Sequence, residues 1–312
     1  MFDWSFGTLA ILLLVTFSFA WLRDDPQFAT SPPWYWEMKL AWGTDADLVI
    51  VGDSTVYRGL NPKKFEDNGV ASHAVNFGFS SASLSSEYLF DAASKLNPNS
   101  RKKYLVVGVT HWALTPQARK SNGYIDAQIN KSKRRTPISW VIALDSIIQK
   151  LTPLEINAII HIPNLPGAHV RANESEYVQD YHMNGWVGSN YVNSAPERGL
   201  EVSRSNFGNN NFVDTVLIDE AKDTLQTIQD HDGVMIVLVT MRSGLPLADS
   251  LNDELGKIPL LKLAQDLCPS KGKVVEFHPN VNDSYDGVHL TRRAADKLSE
   301  SLAQQLIELL QP

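Results

Sequence analysis

The chain contains a single cysteine, Cys268, among its 312 residues. One thiol cannot form an internal disulfide or supply a cysteine-based zinc site. No Gly-rich phosphate loop follows a predicted strand, which argues against a nucleotide cofactor. Histidines with metal-ligand spacing, such as H-x-x-x-H, are also missing among His73, His161, His169, His182, His231 and His278. We therefore expect neither a metal nor another cofactor.

Basic residues are fewer than acidic ones, and the net charge is −7. An acidic balance of this kind argues against nucleic acid as a partner. One short basic run, residues 131–135, is interpreted as a solvated loop. With 43% hydrophobic and 20% charged residues, the composition is that of an ordinary globular protein.

The most informative stretch is an apolar run at residues 48–51, which leads directly into Gly52-Asp53-Ser54. A short, continuously apolar, β-branched run predicts a strand buried in a parallel sheet. Gly52 would let the chain turn where the strand ends and place Ser54 at the carboxyl edge, where open α/β folds bind their ligands. A serine there becomes a nucleophile if a base takes its proton.

Further strands are predicted at residues 73–76, 104–110, 234–240 and 273–278, with helices between them. Strands that alternate with helices predict a doubly wound α/β fold with a parallel sheet. We expect one catalytic domain over 46–312, with an insertion of loops and helices at about 113–230. Helical patterns lie at 138–150 and 213–230, and residues 181–186 and 206–211 are expected to form loops over the site.

A second motif, Asp286-Gly287-Val288-His289, lies near the C-terminus, just before a predicted helix at 291–310. Together with Gly52-Asp53-Ser54, it resembles the SGNH/GDSL hydrolase superfamily. The resemblance implies a flavodoxin-like sheet and a catalytic triad of Ser54, His289 and Asp286. It also implies an oxyanion hole that includes the backbone N–H groups of Ser54 and Gly78.

The chain departs from this family at the third strand. Family members carry Gly-x-Asn-Asp there, whereas this sequence reads Gly108-Val109-Thr110-His111. Thr110 and His111 are the candidates for a third oxyanion donor. Losing one oxyanion donor costs about 3 kcal/mol of transition-state stabilisation, so the departure argues against ordinary fast esterase activity. In this respect the chain resembles the divergent, membrane-anchored branch of the superfamily, which includes proteins similar to alginate O-acetyltransferases and the teichoic-acid D-alanylation protein.

The N-terminus has an uncharged apolar run at residues 5–22, flanked by Trp4 and Trp21. Eighteen residues span about 27 Å as a helix, enough for a bilayer core. A cleaved signal peptide is the alternative, with Ser18-Phe19-Ala20 as its cleavage site, but the usual basic n-region is missing. We expect an anchor at 1–23 and a linker at 24–45, which either packs on the domain or lies at the membrane interface.

The resemblance to the anchored branch implies an extracytoplasmic O-acetyltransferase or esterase that acts on a cell-envelope or exported polysaccharide. It also implies a membrane-bound O-acyltransferase as a possible partner that supplies the acyl group. Arg242 is a candidate contact for an anionic substrate group or a member of a structural salt bridge. Trp186 is a candidate for stacking on a sugar ring or an ordinary surface-loop residue. The alternative is a non-catalytic carbohydrate-binding or scaffold protein that keeps the fold.

Overall fold

The computed structural model describes residues 27–28, 31, 34–141, 178–190, 198–207 and 211–309. The strands, in chain order, are β1 (Gln27–Phe28), β2 (Leu48–Val51), β3 (Ala74–Asn76), β4 (Tyr104–Val109), β5 (Val178–His182), β6 (Val187–Asn190), β7 (Met235–Thr240) and β8 (Lys273–Glu276). The helices are α1 (Tyr35–Ala41), α2 (Ser54–Gly59), α3 (Pro62–Asp67), α4 (Ser86–Ala93), α5 (Pro116–Lys120), α6 (Gly123–Lys133), α7 (Arg198–Phe207), α8 (Thr215–Asp232), α9 (Pro246–Gly256), α10 (Leu260–Leu267) and α11 (Arg292–Leu309).

Five strands form a parallel sheet in the order β3-β2-β4-β7-β8. Every residue of β2 and β4 is buried. Their uninterrupted apolar sequences follow from helices that cover both faces of the sheet, so neither face needs polar side chains. The predicted α/β fold with a parallel, helix-flanked sheet is confirmed.

Alternate residues of the central strands enter two separate cores. Val49 and Val51 of β2 pack on one face with residues of α4, α8 and α10. Leu48 and Ile50 pack on the other face with residues of α2, α3 and α11. This two-sided packing holds the carboxyl ends of the strands in register, so the loops that follow them meet at one edge.

The segment before β2 packs on the domain, which is one of the two alternatives left open for the linker. Trp34, Tyr35, Met38 and Lys39 are buried against the hairpin formed by β5 and β6. Strand β1 pairs with β5, so the three strands β1, β5 and β6 form a small antiparallel sheet.

Two expectations fall wholly or mostly outside the described residues. The predicted anchor at 5–22 is one, and most of the predicted helix at 138–150 is the other. Within the part of the chain that the structure describes, no helix is both long enough and apolar enough to cross a bilayer. The helical pattern at 213–230 corresponds to α8.

Candidate active site

Ser54 begins α2 immediately beyond the carboxyl end of β2. Gly52 makes the tight turn with φ +151°, and a Cβ there would lie 2.4 Å from Val56 Cγ2. Asp53 caps the helix, since its Oδ1 accepts hydrogen bonds from the N–H and the hydroxyl of Thr55 at 2.9 and 2.7 Å. The turn and the cap together place the Ser54 hydroxyl at the sheet edge, as the sequence predicts.

The structure brings the two sequence motifs together. His289 Nε2 lies 2.9 Å from Ser54 Oγ, and His289 Nδ1 lies 2.8 Å from Asp286 Oδ2. The second carboxylate oxygen, Asp286 Oδ1, accepts hydrogen bonds from the backbone N–H groups of Val288 and His289 at 3.0 and 2.7 Å. These are the contacts that a nucleophile, its general base and the group that orients the base require.

The electrostatics of this triad favour a neutral imidazole next to an ionised carboxylate. Burial, together with the positive charge of Arg58, lowers the pKa of His289 below its ordinary value, although Asp286 acts in the opposite direction. Burial works to raise the pKa of Asp286, but the hydrogen bonds and charge of His289 and the two backbone N–H groups outweigh it and lower that pKa. A neutral His289 can accept the proton of Ser54.

Arg58 is a further site residue, and it lies outside the two sequence motifs. It is buried, lies beside the triad, and donates a hydrogen bond to the Tyr285 hydroxyl at 2.7 Å. It follows Ser54 by four residues on α2, and that i, i+4 spacing is the signal that places both side chains on one helix face.

The triad opens into a cavity of about 310 Å³ at the carboxyl edge of the sheet. Helix α7, from the predicted insertion, forms one wall with residues that include Val202, Asn206 and Phe207. The helix approaches the loop that carries Asp286 and His289 closely, since a Cβ on Gly199 would lie 2.4 Å from the carbonyl oxygen of Gly287. Asn206 and Phe207 therefore lie over the site as expected, but they end a helix, so the expected loop is wrong for these two residues.

The expectation for Gly78 needs a correction. Its N–H donates to the side chain of Asn76 at 2.9 Å, and Gly78 is buried and does not line the cavity. Asn76 is held in turn by the carbonyls of Val56 and Leu60, so the N–H of Gly78 belongs to a structural network.

Ser80 and Ser81 line the cavity instead, although neither was predicted as a site residue. Among the described residues, no acceptor meets their backbone N–H groups. Ser81 has φ +51°, an uncommon value for a residue other than glycine, and such values concentrate at functional sites. A serine with a positive φ cannot be predicted from the sequence, because it is chiefly glycine that indicates this backbone conformation.

Thr110 and His111 line the cavity, but their hydrogen-bond donors are engaged elsewhere. The Thr110 hydroxyl donates to Asp53 Oδ2 at 2.6 Å. His111 Nε2 lies 2.8 Å from the carbonyl oxygen of Ile258 and 3.2 Å from Asp253 Oδ1. Either residue would have to release these contacts to act as the expected third oxyanion donor.

The two predicted substrate-binding residues differ in position. Arg242 lines the cavity and lies 3.7 Å from Asp253 and 3.5 Å from Glu276. Trp186 is only 2% exposed, and its indole N–H donates to the carbonyl of Arg58. The expectation that Trp186 stacks on a sugar is wrong, because a ring buried between α2 and α11 cannot reach a ligand.

No protein-family model, curated protein or solved structure matches this chain. Among the residues with described positions, no cluster of three or more His, Cys, Asp or Glu side chains is arranged to hold a metal ion. Function is therefore inferred from the fold and from the geometry around Ser54.

Proposed function

We propose that this protein is a serine-dependent acyl-transfer enzyme of the SGNH/GDSL type. The observation that carries the proposal is the contact chain from Ser54 Oγ through His289 to Asp286, with both distances under 3 Å. The strand order β3-β2-β4-β7-β8 supports it as well, because it is the flavodoxin-like order that the resemblance implies.

In the first half-reaction, Ser54 Oγ attacks the carbonyl carbon of an ester while His289 Nε2 takes the hydroxyl proton. The backbone N–H of Ser54 and those of Ser80 and Ser81 are the donors available for the negative charge on the carbonyl oxygen. The bond to the leaving oxygen then breaks, and His289 gives that oxygen its proton. Asp286 stabilises the imidazolium and holds the ring in place throughout.

In the second half-reaction, a hydroxyl of the acceptor or of water attacks the acyl group on Ser54. His289 takes the proton of the attacking hydroxyl and returns it to Ser54 Oγ as the acyl–serine bond breaks. A sugar hydroxyl as acceptor gives an O-acyltransferase, and water gives an esterase. The wall formed by α7 supports the transferase reading, since it partly screens the acyl group from solvent.

The biological setting is proposed from the resemblance alone. It comprises a membrane anchor at 5–22, an extracytoplasmic catalytic domain and a cell-envelope or exported polysaccharide as acceptor. A membrane-bound O-acyltransferase is the proposed donor of the acyl group.

The experiment is turnover of p-nitrophenyl acetate by the full chain in detergent, with and without an oligosaccharide acceptor. Ser54→Ala removes the nucleophile. Ser203→Ala is the matched control, because Ser203 lines the same cavity but its hydroxyl donates a hydrogen bond to the carbonyl of Gly199. We expect release that depends on Ser54 and not on Ser203. Acylated oligosaccharide among the products indicates a transferase, and its absence an esterase.

Equal release by wild type and a folded Ser54→Ala variant would refute the proposal. Oligosaccharide binding by both proteins would then favour the non-catalytic binding protein.

A further inference from the structure

A second aspartate–histidine pair lies in the same cavity as the triad. His111 follows β4, is 5% exposed, and packs edge-to-face against Phe207 of α7. Its Nε2 lies 2.8 Å from the carbonyl oxygen of Ile258 and 3.2 Å from Asp253 Oδ1. A carbonyl oxygen only accepts hydrogen bonds, so Nε2 carries a hydrogen atom.

This contact determines what the other ring nitrogen of His111 can do. In the neutral ring with hydrogen on Nε2, Nδ1 has a free lone pair and accepts a hydrogen bond. The opposite side of the ring is covered, since a Cβ on Gly256 would lie 2.6 Å from His111 Cδ2. Among the described residues, none forms a hydrogen bond with Nδ1, and Nδ1 is not one of the fully buried atoms that lack a partner.

Asp253 lies beside the same His111 nitrogen that contacts the Ile258 carbonyl. Asp253 Oδ1 accepts the backbone N–H of Leu260 at 2.8 Å, which fixes the carboxylate beside Nε2. The two pairs use different ring nitrogens: His289 Nε2 contacts Ser54 Oγ, whereas the Nδ1 of His111, a residue that lines the cavity, has no hydrogen-bond partner among the described residues. No serine or cysteine contact is recorded for His111 within the described residues, so its free nitrogen is suited to a ligand and not to a second nucleophile.

We propose that His111 Nδ1 accepts a hydrogen bond from a hydroxyl of the acyl acceptor, while a neighbouring hydroxyl of the same molecule attacks the acyl group on Ser54. The inference rests on the proposed function and names its acceptor class: a polyhydroxy compound with hydroxyls close together, such as a sugar. The attacking hydroxyl gives its proton to His289, and His111 undergoes no net proton transfer. His111 therefore favours transfer over hydrolysis, since water has no second hydroxyl to offer.

The test measures how the acyl-enzyme partitions between an alcohol and water. The full chain turns over p-nitrophenyl acetate with either glycerol, which has adjacent hydroxyls, or n-propanol, which has the same number of carbons and one hydroxyl. Acetylated alcohol and free acetate are both quantified. His111→Phe keeps a ring that packs on Phe207 and removes both nitrogens. His111→Asn places an acceptor oxygen on Cγ, at the position that Nδ1 occupies in histidine.

We expect His111→Phe to lower the glycerol-to-water partition ratio about three- to tenfold, the size of one net hydrogen bond. The propanol-to-water ratio should change less than about twofold, because propanol has no second hydroxyl to donate that bond. His111→Asn should recover part of the glycerol ratio, although it packs less well. A merely structural role would make Asn as harmful as Phe or worse.

Two outcomes would overturn the inference. One is an unchanged glycerol ratio in a His111→Phe variant whose thermal unfolding matches the wild type. The other is an equal fall in the glycerol-to-water and propanol-to-water ratios. Absence of Ser54-dependent release in the wild-type protein would refute the proposed function itself, and so differs from either result.

Discussion

Replacing Asp286 by asparagine is a sharp test of the triad, because the structure dictates how the new amide must point. The Oδ1 position accepts two backbone N–H groups, from Val288 and His289. An asparagine keeps both bonds only by placing its amide oxygen there. Its NH2 group then faces His289 Nδ1, which must give up its hydrogen and become an acceptor.

The forced tautomer puts the imidazole hydrogen on Nε2, facing Ser54 Oγ. His289 can then no longer accept the serine proton, although its position is unchanged. Triads with this substitution lose about 10⁴-fold in kcat. Such a loss corresponds to about 5 kcal/mol of transition-state stabilisation. We expect a loss of this order for Asp286→Asn, with little change in fold because the side-chain volume is preserved.

The assay is the initial rate of p-nitrophenyl acetate turnover, compared with Asp249→Asn as a matched control. Asp249 lines the same cavity, and its Oδ1 accepts from the N–H and hydroxyl of Ser243. An amide oxygen accepts both bonds equally well, so Asp249→Asn should stay within a few-fold of wild type. An Asp286→Asn variant with more than about a tenth of wild-type activity would refute the tautomer argument, which requires a loss near 10⁴-fold.

Three further predictions concern residues around the site. Lys39 donates hydrogen bonds to two buried carbonyls at 2.7 and 2.9 Å. Lys39→Met should therefore lower the free energy of unfolding, measured in urea, by about 2–4 kcal/mol. The control Lys262→Met replaces an exposed lysine and should change that free energy little. Gly199→Ala should push α7 off the carbonyl of Gly287 and lower kcat/KM; unchanged kinetics would contradict the close approach. Burial, and to a lesser extent Arg292, lowers the pKa of His182 to about 4, so protonation of the unfolded chain below about pH 6.5 destabilises the fold. Between pH 7 and pH 5, the free energy of unfolding of the wild type should therefore fall by about 2 kcal/mol more than that of His182→Phe. Urea unfolding at each pH measures both values.

The parallel sheet was predictable because its strands are buried on both faces. The expected strands at 104–110 and 234–240 coincide with β4 and β7 to within one residue at either end. An uninterrupted apolar run is a strong signal when helices cover both sides. The small sheet of β1, β5 and β6 escaped prediction, because Val178-Gln-Asp-Tyr-His182 is short and half polar and resembles a loop.

The site could be predicted only for residues whose side chains carry the reactive groups. Ser54, Asp286 and His289 could be selected because each follows a predicted strand and the strands of a parallel sheet end at one edge. The predicted oxyanion role of Gly78 was wrong, because the direction of a backbone N–H group depends on local geometry that the residue type does not determine. Trp186 failed for a related reason: an aromatic in a polar segment can stack on a ligand or fill a core, and only packing decides.

The most direct test of the central claim is to trap the acyl-enzyme. The full chain is mixed with p-nitrophenyl acetate, quenched in acid within the first turnovers, digested and analysed by mass spectrometry, beside Ser54→Ala and His289→Ala. We expect one added acetyl group on the peptide that contains Ser54 in wild type, and no acetyl group on that peptide in either variant. Acetylation of another residue, or equal labelling of wild type and Ser54→Ala, would contradict it.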